Sequence, residues 1–326
     1  MIKLKINNQI FENFTDFEVN LMRNTVASTF RFTGFTKYFE IVKYQDCEVY
    51  FDNDKMITGT ILNPAFTYNK KPTLTTISGY SKTGVLEDSN MPVSLYPLQF
   101  DGLNLKQIAE KICREFGLKV KILNSESQVN LPFEKVSASP TESIKSFISK
   151  LANQRGVILS HDNESRVLLF KVLGKVAPRE NLTFDDAMNV TFTPNAQGFH
   201  SSITGLRQAK TFDNNTQQIT VNSPFIKNVL RPKVITIEDG DELQETVNKA
   251  VCAEAKSFSL KLQFEGLYNI RSGFYITLDG PILKQRTKFL IESVKFSGNK
   301  SGSTTTLDLV LPCVYTGVLP GSSPFI

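Results

Sequence analysis

Thr75-Thr76-Ile77-Ser78-Gly79-Tyr80-Ser81-Lys82-Thr83-Gly84-Val85-Leu86-Glu87-Asp88-Ser89 closes a long stretch of β-type sequence and stands just before a change in character. Upstream of it, residues 1–95 read as β-structure throughout. Ile2, Leu4 and Ile6 alternate with Lys3 and Lys5, Phe17, Val19 and Leu21 alternate with Glu18 and Asn20, and Phe30 and Phe32 flank Arg31. A period of two turns one apolar face inward and one polar face outward. Cys47–Phe51 then runs into Asp52-Asn53-Asp54-Lys55, which is turn chemistry, and Met56–Leu62 returns, so a hairpin is predicted. Several short strands at close spacing predict a small barrel or sandwich.

Downstream, after Pro97, the period lengthens. Asn104 is placed to cap a helix with Leu105, Ile108, Ala109, Ile112 and Phe116 on one stripe, and Gly117 stops it. Leu118, Val120 and Ile122 alternate with Lys119 and Lys121 as a strand. Ser139-Pro140-Thr141-Glu142 reads as a capping box with Pro at the first helical position. The stripe it opens is Ile144, Phe147, Ile148, Leu151 and Ala152, and Gly156 ends it. Val157–Ser160 and Arg166–Val172 predict a hairpin around His161-Asp162-Asn163-Glu164. From about Asn181 the β-pattern resumes, with one helix expected from Asp239 to Phe258, its stripe Leu243, Val247, Ala250 and Val251 and its N-terminus marked by Asp239 and Glu242. Phe258, Leu260, Leu262 and Phe264 alternate, as do Thr305, Leu307, Leu309 and Leu311.

The fold class expected is therefore mainly β with α+β. A first β domain spans 1–95, an α+β domain 96–180 and a second β domain 181–222 with 259–326, while 223–258 forms a helical insertion expected to pack on the α+β domain. The last residues, Leu319–Ile326, have the Pro, Gly and Ser of an extended arm suited to contact a neighbouring subunit.

A chain of 326 residues, 40% hydrophobic and 21% charged, has the material for about two to three domains with real cores. It holds 25 Phe and 9 Tyr but no Trp, a balance that favours sheet. The net charge of +5 is spread along the chain without a dense Lys/Arg run, which argues against a nucleic-acid footprint. Cys47, Cys113, Cys252 and Cys313 lie far apart, with only His161 and His200 to help, so no metal site is expected. Cys113 and Cys252 fall on apolar stripes and read as buried free thiols. Met1–Ile6 alternates and lacks the run of a signal peptide, and no stretch approaches a membrane span. A soluble chain without a membrane anchor, made in a reducing cytoplasm, is expected.

The motifs that could carry chemistry fail on context. Lys82-Thr83-Gly84 matches the K-T-G of penicillin-binding enzymes and Ser297-Gly298-Asn299-Lys300 their S-x-x-K, but the order is reversed and the second lies in a turn where a helix start is required. Gly79–Thr83 misses the last glycine of a nucleophile elbow. Asp52-Asn53-Asp54 begins like a calcium loop, yet Met56 and Ile57 stand where an oxygen ligand and Gly are needed. Asp185-Asp186 reads as a turn, Asp239 with Asp241 and Glu242 as a helix N-terminus, and both histidines as solvated or structural. Gly102, Gly117 and Gly156 are single helix flanks, not a phosphate loop. No catalytic, cofactor-binding or metal residue is assigned, no cofactor is expected, and the chain reads as a non-enzyme.

Against that background the opening stretch resembles the "G-R-S-K-T-G-D-L-V-D-C-S" type segment of baseplate hub proteins of Mu-like contractile-tailed phages (the tail hub, or late control protein D-like, family). Tyr80 stands for the usual Arg, and Ser89-Asn90 where Cys-Ser is common. The succession that follows is similar too: Ile108–Gly117 into Leu118–Ile122, Pro140–Gly156 into Val157-Ile158-Leu159, then a late helix and strands closing on Leu307–Pro312. The resemblance implies two tube-type β-barrel domains flanking a central α+β domain. It also implies a homotrimer whose pseudo-hexameric ring joins the tail tube to the central spike. The implied partners are the spike protein, the tail tube or tube-initiator protein and other baseplate proteins, with the tape measure protein and DNA passing through the lumen without sequence-specific binding. The implied location is the virion baseplate, assembled in the host cytoplasm. Three other readings stay open: a hub subunit of a pyocin-like or type VI-like injection machine; a tail-associated cell-wall hydrolase, which would need a pair of carboxylates roughly 5–10 Å apart in one cleft; and a stand-alone β-rich carbohydrate or nucleic-acid binding module, which would need aromatics interleaved with Lys and Arg on an exposed face.

Overall fold

The computed structural model describes residues 1–35, 44–67, 74–123, 127–170, 182–207, 217–237 and 242–325. Two compact units emerge, and neither is a continuous stretch of chain. Unit 1 is Met1–Leu173 with Glu265–Ser272 and Ser293–Thr305, and unit 2 is Gly174–Phe264 with Gly273–Glu292 and Thr306–Ile326.

Unit 1 begins with seven antiparallel strands, β1 (Ile2–Ile6), β2 (Gln9–Phe11), β3 (Asp16–Met22), β4 (Thr29–Phe35), β5 (Asp46–Phe51), β6 (Asp54–Thr67) and β7 (Leu74–Ser81). Their order is β2-β1-β5-β6-β7-β4-β3. The period of two is realised as burial: Ile2, Leu4 and Ile6 are buried, as are Val19, Leu21, Phe30 and Phe32. The hairpin read at Cys47–Leu62 is β5–β6, turning through Asp52 in the left-handed region (φ 53°). Gly79 lets β6 and β7 close over a ring: a Cβ there would lie 2.0 Å from the Thr60 carbonyl oxygen and 2.7 Å from Phe30 Cζ.

A short helix α1 (Val85–Asp88) leads to α2 (Leu105–Arg114), β8 (Val120–Leu123), α3 (Ile144–Gln154), β9 (Ile158–His161) and β10 (Val167–Phe170). The strands form a sheet β8-β10-β9, parallel between β8 and β10. Leu105, Ile108, Ala109, Ile112 and Cys113 of α2 are fully buried against Ile144, Phe147, Ile148, Leu151 and Ala152 of α3 in one core. Each such leucine or isoleucine contributes about 1.5–3 kcal/mol by leaving water. Both helices stop at a left-handed glycine, Gly117 (φ 66°) and Gly156 (φ 65°), and the next residue's N–H returns to a carbonyl of the last turn.

The capping box lies elsewhere than the sequence suggests. It joins Asn104 and Gln107 at the start of α2, where side chain and backbone exchange bonds of 2.9 and 3.0 Å. At α3 the cap is Ser143, whose Oγ accepts from Ser146 N–H. Residues 139–142 form a turn instead, because the Asn90 amide takes the carbonyls of Thr141 and Glu142, and Ile144 N–H bonds Ser89.

Unit 2 holds β11 (Asn189–Pro194), β12 (Ser202–Arg207), β13 (Gln217–Asn222), β14 (Pro232–Thr236), α4 (Leu243–Ala253), β15 (Phe258–Glu265), β16 (Tyr275–Leu278), β17 (Thr287–Asn299), β18 (Gly302–Val310) and α5 (Cys313–Thr316). Strands β15, β17 and β18 run across the unit boundary in sequence, and residues 293–299 of β17 pair with β3 as part of unit 1. The remaining order is β11-β15-β18-β17, with β16 on β17. Among the described residues no pairing closes either set of strands into a barrel. The expected class, mainly β with α+β, holds.

β13, β12 and β14 form their own three-stranded sheet, and α4 lies on one face of it, Val247 and Val251 packing on Ile203 and Ile237. The late helix is shorter than expected: Glu242 is its N-cap, it ends at Ala253, and Phe258 already starts a strand. Asp239 and Asp241 lie outside the described residues. The chain end, read from the sequence as an extended arm, packs back onto unit 2. Phe325 is buried, its ring 4.5 Å from those of Phe192 and Phe258, while Ser323 N–H bonds Pro224 and Lys284 N–H bonds Pro324. Aromatic burial outweighs the extended Pro, Gly and Ser character of the segment, and Ile326 lies outside the described residues.

Candidate interaction surfaces

The quoted segment builds a joint inside unit 1. Ser81, at the end of β7, is buried, and its Oγ accepts Ser28 N–H at 3.0 Å. Thr83 is fully buried and donates to Ser81, while a Cβ on Gly84 would sit 2.6 Å from the Tyr80 ring. Only Lys82 points outward, paired with Asp46 at 2.5 Å. Lys82-Thr83-Gly84 is thus a packed corner, with two of its three residues buried. Burial, helped by a hydrogen bond to Asp88, pushes the Tyr80 hydroxyl up to about 12.

His161 completes this joint. It ends β9 rather than sitting in the turn. Its Nδ1 lies 2.8 Å from the Thr25 carbonyl oxygen and its Nε2 2.8 Å from Ser28 Oγ. A carbonyl only accepts, so Nδ1 carries the proton, and Nε2 accepts from the Ser28 hydroxyl. Burial holds the ring's pKa below its ordinary value, in keeping with this neutral form. The hairpin beyond it grips β6: Ser165 donates to the Thr58 carbonyl at 2.7 Å, Thr58 to that of Asn163 at 2.6 Å, and Lys55 pairs with Glu164 at 2.8 Å. Asp162 ties the turn by accepting from Glu164 and Arg166.

In unit 2 the buried carboxylate of Glu254 accepts His200 N–H at 2.9 Å, lies 2.7 Å from His200 Nδ1 and has Lys233 at 3.6 Å. Asp186 forms the turn read from sequence, and two bonds from Thr183 hold its carboxyl below the usual range. All four cysteines are free and buried. Burial raises the Cys47 and Cys113 thiols to about 12, far from reactive. Cys252 and Cys313 hydrogen-bond each other, which with burial raises the Cys252 thiol above its ordinary value. Among the described residues no three of His, Cys, Asp and Glu gather as metal ligands, and no helix is long and apolar enough to cross a membrane.

One cleft of about 490 Å³ opens in unit 2 between Gln285–Lys288, Leu311–Cys313 and the returning tail at Val318–Ser322. Its charged side chains are Arg286 and Lys288, with no carboxylate among its lining residues. That arrangement cannot supply a paired-carboxylate mechanism. Among the described residues, β2 and β11 each end a strand order. Sequence reasoning missed the joint because its partners are remote in the chain. The only local signal was the small-residue run Ser81–Gly84.

Residues 83–171, from the Ser81 corner through α2, α3 and β10, match the family of the second domain of gp44-like baseplate hub proteins. No curated protein matches the chain by sequence. By structure the chain is similar to the 43 kDa tail protein of prophage MuSo2 from Shewanella oneidensis, with a TM-score of 0.82 and 21% identity over 98% of this chain and 99% of that one. It is similar to the tail protein from Neisseria meningitidis MC58, with a TM-score of 0.81 and 17% identity over 97% and 98% of the two chains. A lesser likeness, TM-score 0.61 and 15% identity over 98% of this chain and 79% of the other, is to the E. coli c3393 protein, a component of the type VI secretion system. Residues 83–171 thus match the second domain of gp44-like baseplate hub proteins, within a fold that 97–98% of the chain shares with these two tail proteins.

Proposed function

We propose that this chain is a structural subunit of a baseplate hub, three copies of which close into a ring between the tail tube and the central spike. The observation that carries the reading is the hub second domain at 83–171 inside a tail-protein fold covering 98% of the chain. Physical features support it. Each copy contributes antiparallel strands from both ends of its sequence, so a threefold ring can offer six β-rich elements to a sixfold partner. The outer edges of β2 and β11 are the kind of strand edge that assembly covers. On this reading the spike, the tube or tube-initiator protein and other baseplate proteins are the partners. The tape measure and DNA pass through without base-specific grip, consistent with a net charge of only +5 spread along the chain. Its place is the virion baseplate, after assembly in the host cytoplasm, and its role is mechanical rather than catalytic.

Native mass measurement at high protein concentration tests this. A species of three times 36.6 kDa, seen as a ring by electron microscopy, is expected, and a strict monomer or dimer overturns the ring. The likeness to a type VI secretion component favours one second reading, a hub in an injection machine of that kind. Co-purification with tail tube from phage particles rather than secretion sheaths separates the two.

A further inference from the structure

We infer that the cleft between Gln285–Lys288 and the returning tail is a docking groove for an extended acidic segment of a partner protein. The inference rests on the hub reading and deepens it by naming the chemistry of one partner. Arg286 and Lys288 line the cleft on either side of Thr287, at the entry to β17. Both are exposed, and among the described residues neither has a carboxylate partner. Lys288 is held instead by the Tyr275 ring, its Nζ 4.2 Å from the ring centroid. Asp279, one residue beyond β16, lies outside the lining and pairs with neither cation. Other cations of the same unit are matched, Lys256 with Glu292 at 3.0 Å and Lys261 with Asp308 at 3.3 Å.

The groove is built before anything enters it. Leu311 and Cys313 in its lining are buried, and Val318, 70% exposed, stands on the wall formed by the tail. That wall is pinned at both ends. Gly317 N–H bonds the Cys313 carbonyl at 2.9 Å upstream, while downstream Lys284 N–H bonds Pro324 at 2.8 Å and Phe325 is buried. Fixed walls cost little further ordering when a ligand enters. A volume of about 490 Å³ takes a few side chains of a segment, not a folded surface.

Charge and spacing together select the occupant. Two cations in a cleft lined by no anion favour carboxylates, which they bind through charge-assisted hydrogen bonds. Alternate residues of an extended chain lie about 7 Å apart, so Arg286 and Lys288 suit carboxylates at alternate positions of an extended segment. Such a segment turns its intervening side chains the other way. Apolar residues at those positions then meet Val318 and Leu319 on the tail wall. The same apolar wall argues against a nucleic-acid backbone, which has phosphates but nothing to bury there, and two cations are few for a polyanion.

The test uses the full chain and short fluorescent peptides followed by anisotropy. A peptide of alternating Asp and Leu should bind about tenfold more tightly than its Asn and Leu counterpart, and added salt should weaken it. Arg286→Glu combined with Lys288→Glu, both at exposed positions, should lose that binding and accept a peptide of alternating Lys and Leu, with an unchanged circular dichroism spectrum. Lys150→Glu, exposed on α3, should change nothing. Equal binding of the Asp and Asn peptides, or binding that survives the double substitution, overturns the groove. So does a thymidine oligonucleotide that competes as well as the acidic peptide, which would make the cleft a polyanion site. A wild-type trimer that binds no acidic peptide ends this inference and keeps the ring. A wild-type monomer whose acidic-peptide binding is lost in the double variant ends the ring and keeps the groove.

Discussion

Ser28 Oγ lies 2.8 Å from His161 Nε2, across 133 residues of sequence, and the same hydroxyl accepts Met22 N–H at 3.3 Å. A chain of donors therefore runs from the end of β3 through Ser28 and the His161 ring to the Thr25 carbonyl. It joins the N-terminal strands to β9, the strand that follows α3.

His161 sets a pH dependence of stability. Its folded pKa is below the unfolded one because burial penalises the imidazolium, so the unfolded chain binds the proton first as pH falls. The contribution is fully present above about pH 6.5 and is lost progressively below it, down to the depressed folded value. His161→Phe should cost about 2–3 kcal/mol near neutrality through two lost buried hydrogen bonds. Urea unfolding followed against pH should show a smaller loss on acidification in the variant than in the wild type. Equal losses would mean that another group sets the profile.

At the corner of the quoted segment, Ser81 and Lys82 should behave oppositely. Ser81→Ala strands the Ser28 N–H in a buried place and should cost about 1–3 kcal/mol. Lys82→Ala removes one exposed ion pair and should change stability by less than about 1 kcal/mol. Thermal unfolding of the two variants checks this ordering. A Lys82 effect larger than that of Ser81 would reverse the reading of the corner as a packing device.

Gly79→Ala should be among the most damaging single substitutions in unit 1, on the order of 3 kcal/mol or more. Its methyl would meet a backbone oxygen at 2.0 Å, which no side-chain rotation relieves. Gly102→Ala meets nothing within 4 Å and pays only for its left-handed φ of 73°, about 1 kcal/mol. Denaturant midpoints of the pair give the comparison.

Much of this fold was legible because it is local. Burial alternates in β1, β15 and β18 as the residues do, and the apolar stripes of α2 and α3 are the core of the α+β region. The pairings between remote segments were not legible. Nothing in Ser293–Asn299 announces β3 as its partner, since an alternating strand suits any neighbour of like pattern. The β13-β12-β14 sheet was hidden for another reason. Its strands carry few large apolar residues, Gly205 occupies a core position under Val247, and the open face is neutral, so the alternation is faint. At α3, Ser139-Pro140-Thr141-Glu142 has the composition of a helix start, but the remote Asn90 claims its carbonyls.

The tail of the chain gives a fourth expectation. Phe325→Ala empties a site among Phe192, Phe258 and Phe289 and should cost about 3–5 kcal/mol. Limited proteolysis should then cut within 317–324, where the wild type resists. Unchanged cleavage and stability would restore the reading of an extended arm.

The interleaving of the two units bears on how the molecule is made. Strand β3 emerges early from the ribosome, but its partner at 293–299 and the Glu265–Ser272 stretch come only with the last part of the chain. Nascent unit 1 must therefore hold one edge of β3 unpaired while most of unit 2 is synthesised. A chain cut short before residue 293 would leave that edge of β3 open, and an uncovered strand edge is a site of misassociation.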